Sequence, residues 1–95
     1  MRDYELVLVV SPQADSDGAT AVLQRVKRFV AEHGGAVTEE EQWGLRRLAY
    51  PIKKFREGNY FLTRFRLEPN DAKELEEAIK LSEQVIRHLL LKVEA

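Results

Sequence analysis

The chain has 95 residues and no cysteine, which limits it to a small core and excludes disulfides, thiolate metal sites and cysteine nucleophiles. Its hydrophobic share of 44% and charged share of 33% are typical of a soluble globular protein. No apolar run approaches the roughly 20 residues of a membrane span, and the start lacks a signal-peptide pattern. We therefore expect a single domain over residues 1–95, in the cytoplasm, with no membrane partner.

The first third of the chain predicts a strand followed by a helix. Tyr4 to Val10 is short and rich in valine and leucine, as strands are. The side chains that can cap the next helix are Asp15, Ser16 and Asp17. Its apolar stripe is formed by Val22, Val26, Phe29 and Val30. Gly34-Gly35 is expected to end the helix through a left-handed residue.

The middle of the chain predicts a long strand and a loop. The strand begins at Ala36, passes through Glu39-Glu40-Glu41 and reaches Leu48 or Ala49. Three successive glutamates favour an edge strand that is protected by charge against pairing with other chains, and Gly44 is a candidate bulge. Since proline pushes the residue before it to an extended conformation, we expect Pro51 to Asn59 to be a connection.

The last third predicts a strand, a helix and a strand. Tyr60 to Leu67 alternates like a strand, and Val85 to Val93 has the same character. Between them, Asp71 and Glu74 have the spacing of a capping box at the start of a helix. Each predicted helix has one apolar stripe, so both are expected to cover the same face of a sheet.

The element order predicts an α+β fold. Strand, helix, strand, strand, helix, strand with right-handed crossovers leads to the ferredoxin-like β-α-β-β-α-β sandwich, a four-stranded antiparallel sheet with two helices on one face. The other face is then open. The residues expected there are too apolar for idle surface and indicate a partner; they are Val7, Val9, Tyr60, Leu62, Arg64, Arg66, Arg87, Leu89 and Leu91.

Charge is unevenly distributed although the formal net charge is only −1. Residues 44–66 hold seven basic side chains and one acidic, whereas residues 67–84 hold six acidic and two basic. A local basic patch binds anions even when the total is close to zero. The arginines of the Trp43 to Lys54 block suit phosphate oxygens because each guanidinium is a planar fork of donors. The block therefore indicates an anionic partner, with nucleic acid as the leading candidate.

Catalysis has little support in the sequence. His33 is expected at a helix end, and His88 beside the core or at the sheet edge. We predict no catalytic residue, no cofactor, no metal site and no small-molecule substrate. Two other occupants of this fold stay open as alternatives: an acylphosphatase-type enzyme, for which Ser11-Pro12-Gln13-Ala14 is a poor anion loop, and a ligand-sensing regulatory module. An RNA-recognition motif is disfavoured, because Glu57 has the wrong charge for its third-strand pattern.

Several blocks of the chain carry a family resemblance that extends over nearly its whole length. They are Met1 to Glu5, Gly34-Gly35, the block from Trp43 to Lys54, Gly58-Asn59-Tyr60 with Phe65, and the ending from Val85 to Lys92. In order and content they resemble the family of ribosomal protein six of the bacterial small subunit. The resemblance implies a non-catalytic protein of the ribosome with the ferredoxin-like fold. It also implies binding to the central domain of small-subunit ribosomal RNA, together with ribosomal protein eighteen, during platform assembly.

The resemblance suggests two sets of site residues. Arg2, Tyr4, Arg87 and Lys92 match positions at one end of the sheet that the family uses near RNA. Arg46 and Arg47 lie in the central block and are expected to contact either RNA or the partner. For the protein partner we expect the apolar positions Val7, Val9, Leu62, Leu89 and Leu91, with Leu48 and Tyr50 from the central block.

Overall fold

The computed structural model describes residues 1–12 and 16–93, with the side chains of Ser16 and Asp17 left out. The elements are β1 (Arg2–Val10), α1 (Ser16–Glu32), β2 (Ala36–Ile52), β3 (Phe55–Leu67), α2 (Pro69–Lys80) and β4 (Val85–Val93). The capping residues predicted before α1 lie outside the side chains that are described. No helix of the described chain is long and apolar enough to cross a membrane.

The four strands form one antiparallel sheet in the order β2-β3-β1-β4. Alternate residues of β1, from Tyr4 to Val10, pack with both helices in a single buried cluster that includes Phe65 and Leu75. Both helices therefore cover the same face of the sheet, which confirms the ferredoxin-like sandwich. The position of β2 at the beginning of this strand order confirms it as an edge strand.

The end of α1 agrees with the sequence prediction, whereas the start of α2 does not. After α1 the chain turns at Gly34, whose φ of +77° is left-handed, and the Gly35 amide donates to the Val30 carbonyl; the predicted stop is confirmed. The capping box predicted for α2 is wrong. Glu68 is the N-cap residue, with Pro69 directly after it and no side-chain cap. Proline begins the helix three residues earlier than that capping box would, because its fixed φ already suits the first turn.

The predicted connection from Pro51 to Asn59 is also wrong, because β2 and β3 continue through it as a hairpin. Ile52 pairs with Phe55, so that only Lys53 and Lys54 remain in the turn, with φ values of +49° and +72°. Two successive left-handed residues match the twist of a hairpin, and asparagine and glycine normally supply them. The Lys-Lys pair therefore gave no turn signal in the sequence.

A bulge near the start of β4 changes which face its first residues occupy. Val9 pairs with Arg87 but Val10 pairs with Val85, so Ile86 has no partner on β1. Ile86 consequently packs with Val9 on the face away from the helices. Simple alternation along β4 would place Ile86 on the helix face with His88 and Leu90, and the bulge is the reason that it lies on the other face.

Candidate functional site

The β2–β3 hairpin covers part of the sheet face that the helices leave open. Leu48 of the hairpin is buried with Val9 of β1 and Ile86 of β4 in a second, smaller cluster. Ile52, Phe55 and Tyr60 pack around these three side chains. Because β2 is at one edge of the sheet and β4 at the other, the hairpin spans the width of the sheet at this end.

Two local features let the hairpin approach β1 so closely. Arg47 pairs with Glu57 and Ile52 with Phe55, so residues 48–51 of β2 lie opposite a single residue of β3. Such an excess bends a strand and increases its twist. In addition, a Cβ atom at Gly58 would lie 2.3 Å from Val9 Cγ1. Only glycine therefore fits at position 58 while the hairpin stays closed.

The basic side chains of the hairpin are exposed to solvent. They are Arg46, Arg47, Lys53, Lys54 and Arg56. Within residues 1–12 and 16–93, no carboxylate forms an ion pair with any of them. The Arg46 guanidinium lies 5.7 Å from the centre of the Trp43 ring, and Trp43 in turn stacks on Tyr60 at 6.4 Å. These five cations form a positive surface, which we call the hairpin basic patch.

The other two arginines of residues 44–66, Arg64 and Arg66, form ion pairs with carboxylates. Arg64 contacts Glu39 at 3.0 Å and Glu5 at 3.7 Å, and Arg66 contacts Asp3 at 3.1 Å. These pairs are cross-strand neighbours in the sheet, where opposite charges stabilise the pairing. The seven basic residues of the segment 44–66 are therefore two arginines in ion pairs within the sheet and five that face solvent.

The residues predicted to contact RNA do not lie together. Arg2 and Lys92 are exposed, and Lys92 pairs with Tyr4 in the sheet register. Arg87 pairs with Val9, five residues further along β1, about 17 Å away at the rise of a strand. The expectation that all four positions share one end of the sheet is wrong. Arg87 instead lies beside the hairpin, since it lines a concavity of about 180 Å³ together with Lys53.

Tyr4 is a poor candidate for an RNA contact. Its side chain is only 8% exposed and belongs to the core cluster. The ring stacks on Phe65, with 5.8 Å between the ring centres. Its position on the helix-covered face follows from the alternation of β1, which places it in line with Leu6 and Leu8. We leave Tyr4 out of the proposed RNA surface.

The residues predicted to contact a protein partner fall into two groups. Val9, Leu48 and Leu62 are buried within the chain itself, at 2%, 9% and 4% exposure, and that part of the prediction is corrected. The hairpin covers Val9, which we had taken to be open. Tyr50, Leu89 and Leu91 are exposed and Val7 is half-buried, so these four are accessible. Val93, 44% exposed, extends the same row, and strict alternation of β4 would have identified it.

The apolar surface on β4 forms a continuous row, which we call the β4 apolar row. Leu89, Leu91 and Val93 pair across the sheet with Val7, Glu5 and Asp3, so their side chains share the open face. Each of the three is between 44% and 47% exposed. Solvent-facing strands usually place polar groups at such positions, and a row of this kind marks an interaction surface.

Both histidines have structural contacts, as the sequence predicted. His33 at the end of α1 is hydrogen-bonded through Nδ1 to the Phe29 carbonyl oxygen at 2.8 Å. His88 on the edge strand β4 has its Nε2 atom 3.3 Å from a Glu76 carboxylate oxygen of α2. His88 thus connects β4 to α2, whereas this contact of His33 lies at the end of α1.

Comparison with known proteins gives a consistent result. The family model for ribosomal protein S6 matches residues 3–92. The small ribosomal subunit protein bS6 of Moorella thermoacetica is 42% identical over 94 residues, which are 99% of this chain and 96% of that protein. The corresponding protein of Clostridioides difficile is 43% identical over 96% of this chain and 98% of its own length.

Solved structures agree with the sequence relatives. The crystal structure of 30S ribosomal protein S6 from Thermotoga maritima superposes with a TM-score of 0.91 at 30% identity, covering 97% of this chain and 87% of that one. The C-terminal domain of the MgtC protein from Mycobacterium tuberculosis gives a TM-score of 0.66 at 10% identity and so shares the fold alone. From the family model, the relatives and the superposition together, the chain belongs to the ribosomal protein S6 family, whose members are structural, non-enzymatic constituents of the small ribosomal subunit in the cytoplasm.

Proposed function

We propose that this chain binds the central domain of small-subunit ribosomal RNA together with ribosomal protein eighteen and so takes part in assembly of the subunit platform. The observation that supports this most directly is the pairing of two adjacent surfaces on one side of the sheet. One is the hairpin basic patch, and the other is the β4 apolar row. A cationic surface suits RNA, and an apolar surface suits a protein.

The RNA contact is assigned to the hairpin basic patch and its neighbours. Among the described residues, no carboxylate forms an ion pair with the five cations of the hairpin. Cations that neutralise phosphates release the counterions condensed on the nucleic acid, and this release is the main source of sequence-independent affinity. Arg46 and Arg47 are central to the patch, and Arg87 extends it across the sheet through the concavity shared with Lys53. Arg2 and Lys92 form a separate cationic area at the other end of β1.

The protein contact is assigned to the β4 apolar row with Val7 beside it and Tyr50 on the hairpin. A chain with a net charge of −1 is expected to hold RNA weakly by itself, since long-range repulsion offsets part of the local attraction. A basic partner seated on the apolar row would offset that repulsion and add phosphate contacts of its own. Cooperative binding of the partner and the RNA is therefore the expected behaviour.

A salt titration of binding to a central-domain RNA fragment, with and without purified ribosomal protein eighteen, tests the proposal. We expect binding that tightens strongly with the partner and falls as salt rises. No binding in either condition would refute the RNA-assembly role. A concentration-dependent homodimer that responds to a small metabolite would support the regulatory-module alternative instead.

The variant Arg46→Glu with Arg47→Glu assigns the contact within the hairpin. We expect the slope of log affinity against log salt to fall by about 1.5–2, because each lost phosphate contact removes somewhat less than one unit. The matched control is Arg28→Glu with Lys73→Glu, which makes the same charge change at two exposed helical positions. Equal slopes in the two double variants would remove Arg46 and Arg47 from the RNA contact and leave only an effect of net charge.

A further inference from the structure

Three side chains with metal-binding atoms converge where the end of α1 meets the start of α2. They are His33, Asp71 and Glu74, and one potential ligand atom from each lies within 4.8 Å of the others. His33 follows the last residue of α1, whereas Asp71 and Glu74 are three positions apart on α2 and share one face of that helix. The sequence analysis predicted no metal site; His33 lies 38 positions before Asp71 and 41 before Glu74 in the chain.

The imidazole of His33 is oriented by two contacts with Phe29. Its Nδ1 atom lies 2.8 Å from the Phe29 carbonyl oxygen. A carbonyl only accepts hydrogen bonds, so Nδ1 carries the proton of the neutral ring. The ring also stacks on Phe29, with 3.9 Å between the ring centres. A backbone carbonyl that fixes the tautomer and the orientation of the ring is the usual outer partner of a metal-bound histidine.

This arrangement leaves the other ring nitrogen facing the two carboxylates. Nε2 of the neutral ring is a lone-pair acceptor and lies 4.0 Å from a Glu74 carboxylate oxygen. Three acceptors that face one another repel unless a cation or a proton lies between them. The distances are close to those of a small metal site, in which nitrogen and oxygen ligands lie about 2.0–2.2 Å from zinc. Glu74 is 68% exposed, so its side chain can rotate to close the remaining gap.

We propose that His33, Asp71 and Glu74 bind a divalent transition-metal ion, with zinc the best fit, and that the ion links α1 to α2. One imidazole nitrogen with two carboxylates favours zinc, cobalt or nickel over magnesium and calcium, which prefer oxygen ligands alone. Three protein ligands leave a fourth position to water. The site lies on the helix side of the sheet, on the opposite face from the β4 apolar row.

Thermal unfolding of the full chain with zinc chloride, with magnesium chloride and with EDTA tests the proposal. Binding to the native state raises its melting temperature. We expect a rise of about 5 °C or more when free zinc exceeds its dissociation constant about tenfold. The rise should be reversed by EDTA and should not appear with magnesium. A melting temperature unchanged by zinc would overturn the proposal.

Variants of the three residues identify the ligands, and a comparison with acid distinguishes stabilisation by zinc from stabilisation by a bound proton. Glu74→Gln, Asp71→Asn and His33→Gln should each abolish most of the zinc response, and the two helix-surface variants keep the test valid if His33→Gln fails to fold. His88→Gln is the matched control, because His88 faces Glu76 in a similar histidine–carboxylate contact. It should keep the full response, and zinc should shift the imidazole NMR signals of His33 alone. The assignment would be overturned if zinc still raised the melting temperature of the double variant Glu74→Gln with Asp71→Asn, or if zinc shifted the NMR signals of His88. It would also be overturned if acid stabilised the chain and zinc did not.

Discussion

Replacement of Leu48 by alanine tests whether the hairpin is held down by the small cluster on the open face. Leu48 is 9% exposed and contacts Val9 and Ile86. Because leucine-to-alanine changes in cores cost about 2–5 kcal/mol, and because this cluster has only three buried members, we take the lower end, about 2 kcal/mol. For a domain of this size that corresponds to a fall in melting temperature of about 8–16 °C.

The assay is urea unfolding followed by circular dichroism, with amide hydrogen exchange to locate the loss. Leu45→Ala is the matched control, since Leu45 is on the same strand but 57% exposed; it should change stability by no more than about 0.5 kcal/mol. In Leu48→Ala we expect the amides of residues 46–58 to exchange faster than those of the core. Unfolding curves of the two variants that overlay, with equal exchange in the hairpin, would show that Leu48 does not anchor it and would return Leu48 to the set of partner contacts.

Four further variants separate the roles of neighbouring residues. Leu89→Asp should weaken binding to ribosomal protein eighteen while leaving the melting temperature nearly unchanged, because Leu89 is 45% exposed. Val9→Asp should unfold the chain, because it places an unpaired charge in a buried apolar cluster. The opposite pattern would show that the two residues lie on the faces opposite to those assigned. Arg64→Gln should lower stability by about 0.5–1.5 kcal/mol, since it removes two exposed ion pairs worth about 0.2–1 kcal/mol each, and should leave the salt slope of RNA binding unaltered; a changed slope would add Arg64 to the RNA contacts. Lys53→Asn with Lys54→Gly should raise the free energy of unfolding by about 1 kcal/mol, because asparagine and glycine accept the left-handed backbone of the turn; chemical denaturation measures this effect. The same variant should bind RNA more weakly because it loses two positive charges, which the RNA titration measures. A destabilised variant would contradict the turn assignment.

The order of the predicted strands and helices, with one apolar stripe on each helix, was sufficient to predict the fold. These patterns are local, because side-chain direction repeats every two residues in a strand and every 3.6 in a helix. The edge position of β2 was likewise readable from Glu39-Glu40-Glu41, and the end of α1 from Gly34. The charge excess of the hairpin was visible as composition, and the family resemblance rested on the same block.

What the sequence alone could not determine depends on contacts between distant segments. Leu48 and Val9 follow ordinary strand patterns, and only the bend of the hairpin over the sheet buries them. The bulge that moves Ile86 to the open face depends on the register of β4 against β1. Arg64 and Arg56 are both arginines near the same block, yet one is neutralised by Glu39 and Glu5 across the sheet and the other faces solvent. The sequence determined the elements and their order, whereas the tertiary structure decided which apolar and charged side chains remain available to a partner, because burial and ion pairing are set by residues far apart in the chain.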